Sequence, residues 1–104
     1  MRDLTKLFEN ESAKLGDYIK VSVNDPNADF WVTRRGSKET VGKPSREFNP
    51  ENYGITVTSK DLLPDYLFYA FMNLHNQGYF IPLAKGTLRL VNIRADDIRN
   101  IRIG

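Results

Sequence analysis

The strongest structural signal in the chain is the stretch Pro64-Asp65-Tyr66-Leu67-Phe68-Tyr69-Ala70-Phe71-Met72-Asn73-Leu74-His75. Its apolar side chains recur every three or four residues, which is the spacing of one face of an α-helix. Proline suits the first turn of a helix, because the N–H that it lacks would have no partner there. The stretch therefore predicts a helix from about Pro64 to Asn76, and Gly78 is expected to end it.

Strand-like segments lie on both sides of this helix. Alternating, β-branched or aromatic residues predict extended segments at 18–23, 30–34, 54–58, 79–83, 88–93 and 101–103. Turns or loops are predicted at 24–27, 35–37, 84–87 and, as a long surface loop, 36–53. Helical spacing over 3–15 predicts a short N-terminal helix, and 96–98 predicts one helical turn. The sequence thus predicts an α+β fold with a small, mixed, curved β-sheet, one main packed helix and a short N-terminal helix.

The composition is that of an ordinary globular domain. The 104 residues suffice for one domain, 1–104, and 40% of them are hydrophobic and 27% charged. The absence of cysteine excludes disulfides, a thiolate nucleophile and cysteine-based metal sites. No apolar run approaches the length that spans a bilayer, and the first residues lack the apolar region of a signal peptide. We therefore expect a cytoplasmic protein without a membrane partner.

Catalytic residue sets are missing from the sequence. His75 is the only histidine, and no acidic residue at helical spacing is close enough to orient it, which predicts a structural or surface role. Pro64-Asp65 could begin a metallonuclease motif, but no glutamate follows to complete a metal site. The glycines form neither a phosphate-binding loop nor a dinucleotide fingerprint. The sequence therefore predicts a protein that is not an enzyme and needs no cofactor or metal.

Basic residues gather in two separate stretches. The formal charge is only +2, but five basic residues between Arg34 and Arg46 face one acid, and five between Lys85 and Arg102 face two. Arginine can bridge guanine in the major groove, and lysine, serine and threonine bind phosphates. The candidate DNA-binding residues are Arg34, Arg35, Ser37, Lys38, Lys43, Lys85, Thr87 and Arg89. The alternative is that these side chains only keep the surface solvated.

Several motifs occur in an order that is typical of one protein family. They are Leu15-Gly16-Asp17, the segment Thr33–Lys43 with its arginines, Gly-Ser and Val-Gly, the helix start Leu63–Tyr69, the turn Leu83–Thr87, and the closing stretch Val91–Ile101. In order and spacing, from about Leu15 to Ile103, the chain resembles the target recognition domains of type I restriction-modification specificity subunits. The resemblance implies an α/β domain that reads duplex DNA and selects a sequence for a methyltransferase or restriction subunit.

The sequence departs from that family in its length. Family members carry two such domains separated by long helices, whereas the 104 residues hold one, so we do not expect the usual complex from this chain alone. A half-subunit that dimerises, or a protein of a phage or mobile element, would fit one domain. The main alternative is a protein-interaction or homodimerising module that uses the aromatic side of the helix (Phe68, Tyr69, Met72). A third hypothesis is interference with a host restriction system by imitation of its specificity component.

Overall fold

In the computed structural model, the described residues, 13–87 and 89–103, form two β-sheets and two α-helices. The strands are β1 (Ile19–Val23), β2 (Phe30–Val32), β3 (Arg35–Gly36), β4 (Pro44–Ser45), β5 (Tyr53–Val57), β6 (Lys85–Gly86) and β7 (Val91–Asn92). The α-helices are α1 (Pro64–Asn76) and α2 (Ala95–Arg99), and short 3-10 helices cover Leu15–Asp17 and Ile81–Leu83. The α+β fold predicted from the sequence is confirmed.

The four-stranded sheet has the order β1-β5-β2-β4. Phe30 lies opposite Ile55 across β2 and β5, and both side chains are buried on the face that α1 covers. The ring of Phe30 meets those of Phe68 and Phe71 at centroid distances of 5.5 and 5.7 Å, edge to face. These contacts are the geometry that aromatic rings prefer, and they hold the helix on the sheet.

The three-stranded sheet has the order β3-β7-β6 and shares the same core. It contributes Val91 in β7 and Ile93 just after β7 to that core, and both side chains are buried. The hydroxyl of Tyr53, in β5, donates a hydrogen bond of 3.1 Å to the carbonyl of Ile93. Because this bond is buried and joins the two sheets, it fixes one sheet relative to the other.

The main helix occupies the predicted residues. It begins at Pro64 and ends at Asn76, and Gly78 follows with a φ of +76°. Glycine adopts this left-handed conformation without the strain that a β-carbon causes. The chain reverses there, and Phe80 returns to stack on Phe71 with the two rings 9° from parallel. The short helix predicted at 96–98 is also confirmed, as part of α2.

Every pairing of the described strands is antiparallel, whereas the sequence predicted a mixed sheet. Parallel strands need a crossover of a dozen or more residues, and the short connection between β6 and β7 permits only an antiparallel pair. The predicted N-terminal helix lies mostly in residues 1–12, outside the described residues. Where its predicted end is described, a 3-10 helix covers Leu15–Asp17 and Lys14 bridges to Arg102.

Four predicted local structures are wrong. The segment 84–87 is not simply a turn, because Lys85–Gly86 forms β6 and pairs with β7. Arg35-Gly36-Ser37 is not a turn, because Arg35–Gly36 pairs with β7 and the chain turns only after Ser37. The segment 79–83 is not extended, because the reversal at Gly78 leads into a 3-10 helix that contains Pro82. The segment 101–103 forms one bridge to Lys14 and no strand. The predicted surface loop 36–53 contains β4, and Val41 within it is buried.

Candidate nucleic-acid interface

The three-stranded sheet brings the two basic stretches together. Arg35 in β3 lies opposite Asn92 in β7, and Asn92 lies opposite Lys85 in β6. Residues that face each other across antiparallel strands project to the same side of the sheet. Val91, the neighbour of Asn92, is only 4% exposed, so its side faces the core and the row Arg35, Asn92 and Lys85 faces outward. We call this outer side the basic face.

Two glycines flank the buried side of this row. Val91 lies between Gly36 and Gly86 on the inner side of the sheet. A β-carbon on Gly86, whose φ is +142°, would lie 2.3 Å from the carbonyl oxygen of Leu90, which is main chain and cannot move aside. Glycine is therefore required where β6 approaches β7, and it lets the hairpin close tightly.

The hairpin that joins β6 and β7 ends in a turn held by Thr87. The N–H of Thr87 donates to the carbonyl of Leu90 at 2.9 Å, and the N–H of Leu90 donates to the Thr87 hydroxyl at 3.0 Å. The Thr87 side chain is thus engaged in forming the turn, although it was predicted to contact phosphate. Arg89, at the tip of this hairpin, is exposed.

Arg34 points away from the basic face. Its guanidinium carbon lies 5.6 Å from the centre of the Tyr53 ring, and one of its nitrogens lies 3.8 Å from a carboxylate oxygen of Glu51. Its side chain is 21% exposed. The two adjacent arginines, predicted as one pair of DNA-binding residues, therefore have different surroundings: Arg34 packs at the junction of the two sheets, and Arg35 is on the outside.

Ser37, Lys38 and Lys43 belong to the turn that follows β3. The Thr40 hydroxyl accepts the N–H of Ser37 at 3.1 Å, and the hydroxyls of Ser37 and Thr40 are 3.2 Å apart, so the Ser37 side chain is engaged within the turn. Lys38 and Lys43 are exposed at the two ends of this turn. His75 lies against it, with Nδ1 at 3.1 Å from the carbonyl oxygen of Val41, which is the structural position expected for the lone histidine.

Four arginines elsewhere in the described chain, Arg34, Arg46, Arg94 and Arg99, are paired with carboxylates, whereas the exposed Lys20 and Lys60 are not. Arg46 is the clearest case: it lies 3.1 Å from Asp65 and 4.0 Å from the centre of the Phe68 ring. Tyr69, and after it Asp65, raise the pKa of Arg46 above its usual value. No carboxylate of the described chain lies within ion-pair distance of Arg35 and Lys85 on the basic face, or of Lys38, Lys43 and Arg89 in the turns.

Asn92 is the residue of this site that sequence reasoning missed. Its side chain is partly exposed, and no hydrogen bond engages its amide within the described residues. The signal that could have found it is the alternation of buried Val91, Asn92 and buried Ile93, which places Asn92 alone on the outer side of the strand. What could not be found in the sequence is the register that sets it between Arg35 and Lys85.

A second exposed surface lies along α1. Tyr66 and Tyr69 are 67% and 63% exposed, beside an open groove of about 980 Å³ that Leu62, Ala70 and Leu74 help to line. Phe68, however, is buried against Phe30. Of the aromatic side that was predicted to meet a partner, Phe68 therefore belongs to the core, Met72 is partly buried, and Tyr69 is accessible.

In the described ranges, no three histidine, cysteine or acidic side chains gather into a group that could hold a metal ion. Neither of the described α-helices is long and apolar enough to cross a bilayer.

No family model matches this chain, and no curated protein or solved structure matches it. The likeness to target recognition domains of type I specificity subunits stays a prediction from the sequence motifs.

Proposed function

We propose that this protein binds duplex DNA, without catalysing a reaction, through the basic face and the cations around it. The observation that carries the proposal is the register of the three-stranded sheet. It sets Arg35 and Lys85, which are far apart in the sequence, on either side of Asn92 and on the outer side of the sheet. Lys38, Lys43 and Arg89 are further exposed cations of the two predicted basic stretches, and they lie in the turn that leads from β3 to β4 and in the hairpin of β6 and β7.

The chemistry of DNA favours this use of unpaired cations. A cation already paired with a carboxylate must give up that partner before it can neutralise a phosphate, whereas an unpaired one only loses water. Each phosphate that is neutralised releases counterions from the DNA, and affinity falls with salt in proportion to the number of such contacts. We therefore expect Arg35, Lys85 and Arg89 to supply phosphate contacts, and Arg34, which is held by Glu51 and Tyr53, to act through the stability of the fold.

The test is the salt dependence of binding to a fluorescent duplex. Parent protein should lose affinity between about 50 and 200 mM salt, and the log of its association constant should fall against log salt concentration with a slope of about −0.9 per phosphate neutralised. The double variant Arg35→Ala/Lys85→Ala should reduce the magnitude of that slope by about 2. Lys20→Ala/Lys60→Ala changes the charge equally at exposed positions elsewhere and is the matched control.

Three results would contradict the proposal. Parent protein without measurable affinity for duplex DNA at low salt would end it. An affinity that does not change with salt would exclude phosphate neutralisation as its source. Equal losses in the basic-face variant and in the Lys20/Lys60 control would mean that net charge, and not this face, attracts the DNA.

The resemblance found in the sequence supports a more specific role. A target recognition domain selects DNA for a methyltransferase or restriction subunit, and we propose such a subunit as a partner of this protein. We propose that both act on DNA in the cytoplasm. Co-purification of the protein with a modification subunit on duplex DNA would test this partner. If the protein binds DNA but has no affinity for such a subunit, the proposed partner is refuted and the DNA-binding proposal is not.

A second candidate function is association with another protein, or with a second copy, through α1. It is favoured by the exposure of Tyr66 and Tyr69 beside the groove. Sedimentation equilibrium over a range of concentrations distinguishes the two functions. A dimer that Tyr66→Ser/Tyr69→Ser converts to a monomer, in a protein with no salt-sensitive affinity for DNA, would favour this alternative.

A further inference from the structure

We infer that Asn92 is the residue that discriminates between bases, while Arg35 and Lys85 hold the phosphates on either side of it. The inference rests on the proposed function and adds to it separate roles for the uncharged and the charged residues of the basic face. Its starting point is that a polar, uncharged side chain stands between two cations on one outer sheet face. Uncharged amides add little to the general attraction of a polyanion, so its contribution must come from specific hydrogen bonds.

The dimensions of the sheet agree with this arrangement. Neighbouring strands lie about 4.8 Å apart, so β3 and β6 are separated by roughly 10 Å with β7 midway. The major groove of B-DNA is about 12 Å wide and admits a two-stranded β-ribbon. The hairpin of β6 and β7, with the exposed Arg89 at its tip, is such a ribbon. With the outer side of this ribbon against the groove, Asn92 on β7 would face the base edges, Lys85 on β6 the phosphates on one side, and Arg35 on the neighbouring β3 the phosphates on the other side.

The side chain of Asn92 is chemically suited to one base. Its amide offers an oxygen acceptor and an NH2 donor side by side, and adenine presents N7 as an acceptor and N6 as a donor with the same spacing. The amide is also available, because it makes no hydrogen bond within the described part of the chain. Ser37 and Thr87, the uncharged polar residues of the predicted site, use their hydroxyls in turns. Asn92 is thus the uncharged side chain of the basic face that is free to read a base.

The experiment is selection from a duplex library with randomised positions, applied to the parent and to variants. The parent should enrich sequences with adenine at one position. Asn92→Ala should lose about 5- to 150-fold of the discrimination at that position, with the salt slope unchanged. Lys85→Ala should weaken binding to all sequences alike and reduce the magnitude of the slope by about 1, with the base preference kept.

A conservative variant distinguishes a lost base contact from a lost fold. Asn92→Gln keeps the amide, which can also bond adenine, so it should retain part of the preference. A parent protein with no affinity for duplex DNA would overturn the inference together with the proposed function. A parent that binds with no base preference, or Asn92→Ala with the parental preference, would overturn the inference alone. Loss of preference in both Asn92→Ala and Asn92→Gln with a lowered Tm would show a structural role and overturn it too.

Discussion

The four-stranded and three-stranded sheets share one core, but their polar side chains are used differently. Around the four-stranded sheet, two charged groups are engaged within the protein, Arg46 with Asp65 and Asp29 with the N–H of Val57 at 2.8 Å, whereas Lys20 on β1 is exposed and has no ion pair among the described residues. On the three-stranded sheet, Arg35 and Lys85 face outward without a carboxylate partner in the described chain. Arg46 and Asp29 thus hold the helix and a neighbouring strand on the first sheet, whereas Arg35 and Lys85 of the second sheet are available for a ligand.

The two sheets also differ in how much of the fold depends on them. β1 and β5 have five residues each, and α1 covers the buried face of their sheet. The strands of the other sheet have two residues each, and their positions depend on turns and on the Tyr53 hydroxyl. Damage to the first sheet should therefore unfold the protein, whereas damage to the second should remove the basic face and leave the remainder folded.

The largest expected effect comes from Phe30→Ala in the four-stranded sheet. The change removes a fully buried ring that touches both Phe68 and Phe71. It should lower the free energy of unfolding by about 3–5 kcal/mol, a large share of the total for a domain of this size. Urea unfolding measures this, and Lys20→Ala, exposed on β1, is the control with a change within about 0.5 kcal/mol. A loss below about 1 kcal/mol would mean that α1 does not pack on this sheet as described.

A smaller and local effect is expected from Gly86→Ala. The added β-carbon collides with the Leu90 carbonyl in a backbone conformation unfavourable to alanine, at a cost of about 1–3 kcal/mol. Hydrogen exchange should show the Thr87 amide unprotected, while the amide of Asp29, bonded to the Ile55 carbonyl at 2.9 Å, keeps its protection. Affinity for duplex DNA should fall with the hairpin. Equal loss of protection at both amides would show that the two sheets unfold as one unit and contradict the comparison.

The two adjacent arginines offer a sharper version of the same contrast. Arg34→Ala removes a cation–π contact and an ion pair, and should cost about 1 kcal/mol of stability. Arg35→Ala should change stability by less than about 0.5 kcal/mol and should reduce the salt slope of DNA binding by about 1. Thermal unfolding and DNA titration of both variants measure these values. The reverse pattern, with Arg35 stabilising and Arg34 binding DNA, would mean that the sheet faces have been assigned the wrong way round.

The contrast between the arginines also explains how far the sequence could predict this site. The helix from Pro64 was predictable because its apolar residues repeat over three turns, and β1 and β5 are long enough to show a pattern. A two-residue strand such as β3 has no measurable period, so Arg35–Gly36 was predicted to be a turn. Once β3 is known to be a strand, alternation sends Arg34 and Arg35 to opposite faces. The pairing of β3 and β6 with β7 depends on tertiary contacts and could not be predicted.

The smallest expected effect concerns Asp25, in the loop between β1 and β2. Its carboxylate accepts the Ser22 hydroxyl at 2.7 Å and the Asn27 N–H at 3.0 Å, and these bonds, Ser22 first, lower its pKa below the usual value of 3.8. Because the pKa is lower in the folded state, the stabilisation is fully present above the unfolded pKa and is lost as pH falls through the folded one.

Ser22→Ala should therefore raise the pKa of Asp25, measured by NMR titration of its carboxyl carbon. The stability difference between the variant and the parent should be constant near neutral pH and shrink in acid, where Asp25 is protonated in both proteins. A difference that stays the same at every pH would mean that Ser22 acts through packing or its other contact, the Gly54 carbonyl at 3.4 Å, and not through the charge of Asp25.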